Sequence, residues 1–302
     1  MELAESKVVG KPVYQPGAST IEGMPMALQM FYAHPPVMAM PHWHAQVEVN
    51  YIMRGSVHYR MSDHDITLKA GQMCLFWGGQ PHQMDESSDD SLYAGAHLPL
   101  VYFFRMRLPP TIGTRLMKGE ILLTSATDAA DEANFPRWYD YAKSNDVRKT
   151  QHAVDELLLR IERIALESYL MVPGTSTDEL EQPNSHLSRS VARMCDFIAS
   201  NFLQDIDTVE IARAVDLHPK YAMNLFKKTT GMTISKYINL LRLSHAQAQL
   251  MGEGANVLQI AMDSGFGSIS AFNKSFRNIA GMSPSDFRRD MRSMIGAISA
   301  AG

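Results

Sequence analysis

An internal repeat constrains the C-terminal part of this chain more than any other feature of the sequence. The segment LFKKTTGMTISKYI (225–238) aligns with SFRNIAGMSPSDFR (275–288) at an offset of 50 residues. Upstream, IARAV (211–215) aligns with IAMDS (260–264) at an offset of 49. A repeat of this length indicates that one supersecondary unit has been duplicated. The helical patterns that fill the chain from residue 187 onward therefore predict two similar all-α units.

Each copy of the repeat predicts a helix-turn-helix. A short helix that contains Ile-Ala comes first, and a tight turn follows it; in the second copy Gly265 can take the positive φ that such turns often need. A second helix is predicted at 219–230 and at 268–279, where Pro219 suits the first helical position and Ser268 suits the N-cap. The second helix of this motif enters the major groove, so we expect double-stranded DNA as a partner.

Helical spacing separates the inner and outer sides of the two recognition helices. Ala222, Leu225 and Phe226 fall on the inner side of the first helix, and Phe272 and Phe276 on that of the second. The predicted DNA-binding residues are Lys220, Met223, Asn224 and Lys227 in the first copy, and Ile269, Ser270, Ala271, Asn273 and Lys274 in the second. Asn suits adenine, Lys suits guanine, and a small apolar group suits the thymine methyl. The unbroken pattern at 234–251 can hold the two helices about one DNA turn apart, on the order of 34 Å.

Charge and composition favour a polyanionic partner for one part of the chain only. The net charge of −4 divides into −8 for residues 1–186 and +4 for residues 187–302, which suits the C-terminal part to nucleic acid. The two cysteines, Cys74 and Cys195, exclude a disulfide framework and a thiolate zinc site. Neither a signal peptide nor an apolar run of roughly 18 residues is visible. We expect a cytoplasmic protein, associated with the nucleoid when bound to DNA, with no membrane partner.

The N-terminal part predicts a β-rich domain followed by one long helix. Residues 26–98 alternate short β-prone runs with turn-forming residues, which is typical of a barrel or sandwich. Gly55 is placed to join VEVNYIMR and SVHYRMS as a hairpin. Residues 147–171 predict a single amphipathic helix that packs on the barrel or on a second subunit. The expected domain bounds are 1–171 for the sensor, 172–186 for a polar linker and 187–302 for the DNA-binding domain.

The segment PHWHAQVEVNYIMRG (41–55) holds the residues best suited to bind a ligand. His42, His44 and Glu48 have the same parity, so along one strand their side chains face the same side, and His82 on a later strand can complete the site. Imidazole nitrogens and carboxylate oxygens bind zinc, iron, nickel or manganese. The same groups bond sugar hydroxyls, or bond one another inside a barrel. The residue types leave these alternatives open.

The segment IAMDSGFGSISAFNKSFRNIAGMSPSDFR (260–288) strongly resembles the AraC/XylS family of bacterial transcription regulators, and the likeness covers roughly 190–290. Asp216 departs from the family, in which this point of the first turn is often glycine. In the N-terminal half, the spacing H-x-H, x₃, E, x₆, G and a later His resembles that of cupins. The resemblance implies a mixed fold: an N-terminal cupin-like β-barrel sensor plus a C-terminal all-α domain with two helix-turn-helix motifs.

The resemblance also implies a small sugar effector, and an α-galactoside such as melibiose is the specific expectation. The predicted effector-binding residues are His42, Trp43, His44, Glu48, Trp77 and His82, where either tryptophan stacks on a sugar ring unless it belongs to the core. The alternative is a metal-binding cupin enzyme or a metal-sensing regulator that uses His42, His44, Glu48 and His82 as ligands. The favoured interpretation is a transcription activator, not an enzyme and without a cofactor. The family further implies contact with RNA polymerase and a homodimer formed through helix 147–171.

Overall fold

The structure is a computed structural model that describes residues 13–14, 28–38, 41–42, 44, 46–61, 64–79, 82–125, 128–173, 185–230, 232–252 and 254–300. Strands dominate the first part of the chain, as its sequence predicts. These strands are β1 (Val13–Tyr14), β2 (Gln29–Ala33), β3 (Val37–Met38), β4 (Val47–Arg54), β5 (Ser56–Met61), β6 (His64–Lys69), β7 (Met73–Trp77), β8 (His82–Ser87) and β9 (Leu92–Leu98).

Helices and two further strands complete the first part, and helices alone form the described remainder of the chain. The first group is α1 (Leu100–Phe103), α2 (Pro110–Met117), β10 (Ile121–Thr124), α3 (Ala129–Lys143), α4 (Val147–Ile164) and β11 (Tyr169–Val172). The second group is α5 (Ser185–Asn201), α6 (Thr208–Arg213), α7 (Pro219–Thr230), α8 (Ile234–Leu250), α9 (Val257–Asp263), α10 (Ile269–Ala280) and α11 (Pro284–Ala300). The mixed fold class is confirmed.

Strand β4 lies at the centre of the first part of the chain and is buried on both faces. It belongs to a six-stranded sheet of order β11-β10-β7-β4-β9-β2, which packs on a three-stranded sheet of order β6-β5-β8. Alternate residues of a strand point to opposite faces. Val47 and Val49 therefore join the core beneath the helices, whereas Ile52 joins the core between the two sheets. Glu48 and Asn50 share the face of Ile52, so the sequence pattern sends them into the interior of the sandwich.

The predicted hairpin at Gly55 is wrong. β4 pairs with β7 and β9, whereas β5 pairs with β6 and β8, so the chain crosses from one sheet to the other at Gly55. Gly55 has a φ of +71°, and a Cβ atom there would lie 2.3 Å from Oγ of Ser88. Only glycine fits this crossing without strain. The crossing places β4 and β5 in the two facing sheets.

The predicted single helix at 147–171 is also wrong at its C-terminal end. Helix α4 ends at Ile164, and β11 then pairs with β10, with Tyr169 opposite Thr124. The β-prone run YLMV supplies the backbone hydrogen bonds that the edge of β10 would otherwise lack. Residues 174–184 lie outside the described residues, so the predicted linker at 172–186 stays a prediction apart from its ends in β11 and α5.

The second part follows the predicted repeat, with α6 and α7 forming one unit, α9 and α10 the other, and α8 joining them. Asp216 and Gly265 occupy matching turns and both have positive φ, +56° and +81° respectively. Asp216 thus adopts the left-handed conformation for which glycine is the usual residue. The two parts of the chain also share one apolar cluster, in which Trp77 of β7 and Tyr237 of α8 both take part.

Candidate DNA interface and effector site

The outward face of α7 is the first candidate DNA-reading surface. A capping box starts α6, since the Asp207 side chain accepts a hydrogen bond of 2.8 Å from the amide of Glu210, and the Glu210 side chain accepts one of 3.0 Å from the amide of Asp207. On α7 the inner residues Ala222, Leu225 and Phe226 are buried as predicted. The four predicted DNA-facing residues are all exposed: Lys220, Met223, Asn224 and Lys227. Their exposure fits the prediction, and their contact with DNA stays a prediction.

The outward face of α10 is the matching surface of the second unit. Ser268 caps the helix by accepting a hydrogen bond of 3.2 Å from the amide of Ala271. Phe272 and Phe276 are fully buried. Of the five predicted DNA-facing residues, Ser270, Ala271 and Lys274 are exposed, and Ile269 and Asn273 are half-buried. Ile269 packs against the apolar core of this unit, which leaves less of its surface for a thymine methyl.

Sequence reasoning missed Tyr221 on the same outward face of α7. Its side chain is 50% exposed, and it lies three residues before Asn224 and seven before Lys228. Residues three apart are neighbours on a helix surface, and residues seven apart lie on the same side two turns away. The helical period alone was therefore enough to include Tyr221 among the candidates.

Helix α8 separates the two recognition helices, as the pattern at 234–251 predicts. Its 17 residues correspond to a length of roughly 25 Å at 1.5 Å per residue. Arg242 anchors it to the end of α5, because its guanidinium donates hydrogen bonds of 2.6 Å to the carbonyl oxygens of Phe202 and Gln204. A helix held in this way maintains a fixed spacing between α7 and α10.

Glu48 is the centre of the candidate effector site. Its Oε1 accepts hydrogen bonds from Nε2 of His44 at 2.6 Å and from Nε2 of His82 at 3.0 Å, and its Oε2 accepts one from Nδ2 of Asn50 at 3.0 Å. A backbone bridge between His42 and His82, with both N–O distances 2.9 Å, closes the cluster. The structure thus brings together four residues predicted from the sequence, all of them buried. We call them the Glu48 cluster: His42, His44, Glu48 and His82.

His97 is a fifth polar residue at this site, and sequence reasoning missed it. It lies on β9 directly opposite Glu48, with its Nε2 atom 3.6 Å from Oε1 of Glu48. Its side chain is 32% exposed, whereas those of His44 and His82 are nearly inaccessible. His97 is therefore the imidazole most available to a ligand that enters from solvent. Only the register between β4 and β9 reveals this, and no local pattern encodes that register.

Burial and mutual contact set the charges of this site. Burial is the main cause that lowers the pKa of His42 to about 2 and the pKa of His97 to about 4. Burial alone would raise the pKa of Glu48, but the imidazoles of His82 and His44 outweigh it and hold that pKa well below its usual value. At neutral pH the site therefore presents an anionic carboxylate beside neutral His42 and His97.

A cavity of about 460 Å³ opens above the Glu48 cluster. Its lining includes His42, His44, Glu48, Asn50 and His97, together with the aromatic residues Phe31, Tyr59 and Tyr93 and the amide side chains of Gln29 and Gln46. The volume falls within the range of roughly 300–1,000 Å³ that is usual for small-molecule sites. Apolar walls with a few convergent polar groups are also the usual composition of such sites.

Two family models match the chain: a helix-turn-helix domain over residues 211–290 and a cupin domain over residues 31–94. The Melibiose operon regulatory protein of Escherichia coli (strain K12) is 29% identical over 264 residues, which cover 87% of each chain. The HTH-type transcriptional activator RhaR of Yersinia pseudotuberculosis serotype O:3 is 25% identical over 278 residues, 89% of this chain and 90% of the relative.

The helix-turn-helix match and these relatives confirm the resemblance to AraC/XylS regulators. The helix-turn-helix match supports a DNA-binding transcription regulator, and the relatives above are regulators by name. Within the described residues, no helix is long and apolar enough to cross a membrane.

The structure describes only one of the two tryptophans predicted for the effector pocket, and that one, Trp77, does not line the cavity. Trp43 lies outside the described residues. Trp77 lies opposite Val47 in the sheet and so shares the face of Val47, not that of Glu48. Its ring contacts Tyr237 on α8, with centroids 5.9 Å apart. The aromatic rings of the cavity are those of Phe31, Tyr59 and Tyr93 instead.

The Glu48 cluster also fits a metal ion. One ligand atom from each of its four residues lies within 4.8 Å of all the others. Nitrogen and carboxylate donors suit zinc, iron, nickel or manganese. Metal ligands must be deprotonated, and the ionised Glu48 and the neutral His42 meet this requirement.

Proposed function

We propose that this chain activates transcription of a sugar-utilisation operon, and that a small sugar binds in the cavity above the Glu48 cluster. An α-galactoside such as melibiose is the specific candidate. One observation carries the proposal: a cavity of about 460 Å³ with a buried polar floor belongs to the same chain as two helix-turn-helix units. The name of one relative, a melibiose operon regulator, supports a sugar over other small molecules, and that of another, the transcriptional activator RhaR, supports activation.

The chemistry of the cavity suits sugar hydroxyl groups. Neutral His97 can donate or accept a hydrogen bond, and the amides of Gln29 and Gln46 can do both. Phe31 stands 5.5 Å from His97, edge to face, and offers an apolar wall to the carbon face of a pyranose ring. Glu48 already accepts three hydrogen bonds, so its role is to orient His44, His82 and Asn50.

Isothermal titration of metal-stripped protein with a panel of sugars, melibiose included, tests the effector proposal. We expect binding that is lost in His97→Ala and Glu48→Ala. His58→Ala is the matched control, because His58 contacts Asp85 and does not line the cavity. Absence of binding across the panel, or equal loss in the control, would contradict the proposal.

Gel-shift titration with a DNA site selected in vitro tests the recognition helices. Ala substitution of Lys220, Asn224, Asn273 or Lys274 should weaken binding by about 1–3 kcal/mol wherever a base contact is lost. Lys69→Ala, at an exposed position of β6, should have no effect. Affinity should also fall steeply with salt, since phosphate contacts release counterions. Unchanged affinity in all four variants would refute the assignment.

Dimerisation through α4 is part of the same proposal. Leu159 on α4 is 57% exposed, and Leu166 and Leu170 just beyond it are 86% and 56% exposed. Three exposed leucines so close along the chain favour a surface that a second subunit covers. Analytical ultracentrifugation should show a dimer that Leu159→Lys converts to a monomer. Contact with RNA polymerase at the promoter completes the proposed role and rests on the family alone.

A metal-responsive regulator, or a metal-dependent cupin enzyme with its own DNA-binding domain, is the second candidate. The four ligand atoms within 4.8 Å of one another favour it specifically. His42, His44, Glu48 and His82 would hold the ion, which would supply Lewis acidity or an additional contact for a ligand. Elemental analysis of purified protein tests whether the Glu48 cluster binds a metal ion. Stoichiometric iron, nickel, manganese or zinc that is lost in His42→Ala and His44→Ala would support this candidate, and its absence after metal supplementation would refute it.

A further inference from the structure

The turn at Gly78–Gly79 lies between the Glu48 cluster and the DNA-binding part of the chain. It follows β7 directly. On its sensor side the amide of His44 donates a hydrogen bond of 2.7 Å to the carbonyl of Gly78, and the amide of Gly78 donates one of 2.9 Å to the carbonyl of Gln46. A Cβ atom on Gly78 would lie 2.2 Å from Cε1 of His44. The backbone therefore touches the imidazole of His44 with no space between them.

The other side of the turn touches α8. The hydroxyl of Tyr237 donates a hydrogen bond of 3.3 Å to the carbonyl of Gly79. A Cβ atom on Gly79 would lie 2.7 Å from that hydroxyl and 2.3 Å from the ring of Trp77. Tyr237 is 1% exposed, so this contact is fully enclosed. Two successive glycines thus permit two close approaches, one to the effector site and one to α8.

Tyr237 extends the contacts to the first recognition helix. Its ring meets that of Phe226 edge to face, with centroids 5.3 Å apart. Phe226 is fully buried on the inner side of α7, whose outer side carries Lys220 and Asn224. An unbroken series of packed groups consequently joins His44 to the DNA-reading helix.

We propose that the Gly78–Gly79 turn couples the Glu48 cluster to the docking of α8, with Tyr237 as the positioning residue. This coupling rests on the proposed function, because the ligand proposed for the cavity is the cause of the shift of His44. Close-packed groups cannot absorb a displacement, because no void lies between them. A shift of His44 moves Gly78, the Gly79 carbonyl moves with it, and the contact with Tyr237 is altered. Ligand and DNA then influence each other by shifting one shared equilibrium between docked and undocked α8.

Hydrogen exchange of the full chain, read by mass spectrometry, tests the coupling without any ligand. Gly78→Ala pushes on His44, and His44→Ala removes the side chain that the turn touches. Both changes should speed amide exchange in residues 234–241 of α8 by about fivefold, the factor that corresponds to one ordinary hydrogen bond of about 1 kcal/mol. Gly113→Ala is the matched control, because a Cβ there has its nearest neighbour 4.0 Å away. Unchanged exchange of 234–241 in both variants would overturn the proposal.

Tyr237→Phe separates the coupling from general loosening of the fold. It removes the hydroxyl and keeps the ring, so exchange in 234–241 should rise and should then no longer respond to Gly78→Ala. Tyr141→Phe, on α3 of the sensor, should leave the response intact. Additive effects of Tyr237→Phe and Gly78→Ala would mean that the two residues act independently and would refute the coupling. Sugar calorimetry bears only on the effector and exchange only on the coupling, so the two proposals can fail separately.

Discussion

Replacement of Arg160 is expected to lower the free energy of unfolding strongly. It lies on the buried side of α4, and its guanidinium donates two hydrogen bonds, of 2.7 and 2.8 Å, to the two carboxylate oxygens of Asp131 on α3. Both side chains are only 2% exposed. Arg160→Met would leave the Asp131 carboxylate buried without its partner, which typically costs about 3–5 kcal/mol. The ion pair holds α4 against α3. Loss of the pair should therefore also disturb the proposed dimer surface around Leu159 on α4.

Urea unfolding of the full chain measures the effect. Arg163→Met is the control: Arg163 contacts Asp128 and Glu167, but its side chain is 45% exposed, and such a pair contributes at most about 1 kcal/mol. Asp131→Leu with Arg160→Met should recover most of the lost stability, since an apolar pair removes the uncompensated charge. A double variant as unstable as Arg160→Met alone would show that packing, and not the buried charge, causes the loss.

The pH dependence of Arg160→Met provides a second check. Burial raises the pKa of Asp131 even with Arg160 present, and removal of the guanidinium should raise it further. When the pKa of a carboxyl is higher in the folded than in the unfolded chain, the free energy of unfolding falls as pH rises from the lower to the higher pKa. The deficit of Arg160→Met should therefore be smaller near pH 4 than at pH 7. An equal deficit at both values would contradict this account.

Three further predictions concern the turns, a helix cap and the buried imidazoles. Asp216→Gly should raise the free energy of unfolding by roughly 0.5–1 kcal/mol, because glycine takes the positive φ of that turn without a Cβ penalty; a lower denaturation midpoint would contradict this. Ser268→Ala should cost about 1 kcal/mol in thermal or urea unfolding by removing the cap of α10, and should weaken DNA binding only modestly in a gel shift. Stability should fall as pH drops from the ordinary imidazole value of 6.5 towards 4, because the unfolded chain takes up protons that buried His42 and His97 do not accept. His97→Phe should flatten that slope in urea titrations at pH 7 and pH 5, and an unchanged slope would rule out His97 as its source.

The helix-turn-helix units were predictable because their signals are local. A helical period of 3.6 residues sorts Phe226 and Phe276 to the inside and Lys220 and Lys274 to the outside without knowledge of any other element. The Ser268 cap and the glycine at 265 mark the turn and helix start within a few residues. Parity along one strand predicts a shared face for His42, His44 and Glu48, but β4 begins only at Val47, and a backbone bridge between His42 and the distant His82 brings the Glu48 cluster together.

Features that depend on contacts between distant segments were not predictable from local patterns. His97 reaches Glu48, and Trp77 turns away from it, through strand registers that join residues tens of positions apart. A register shift of one residue would exchange the two faces. The end of α4 at Ile164 likewise depends on the free edge of β10, and the sheet crossing at Gly55 depends on the partners of β4 and β5. The contact of Tyr237 with Gly79 joins residues 158 positions apart, and only the packing of the two parts of the chain brings them together.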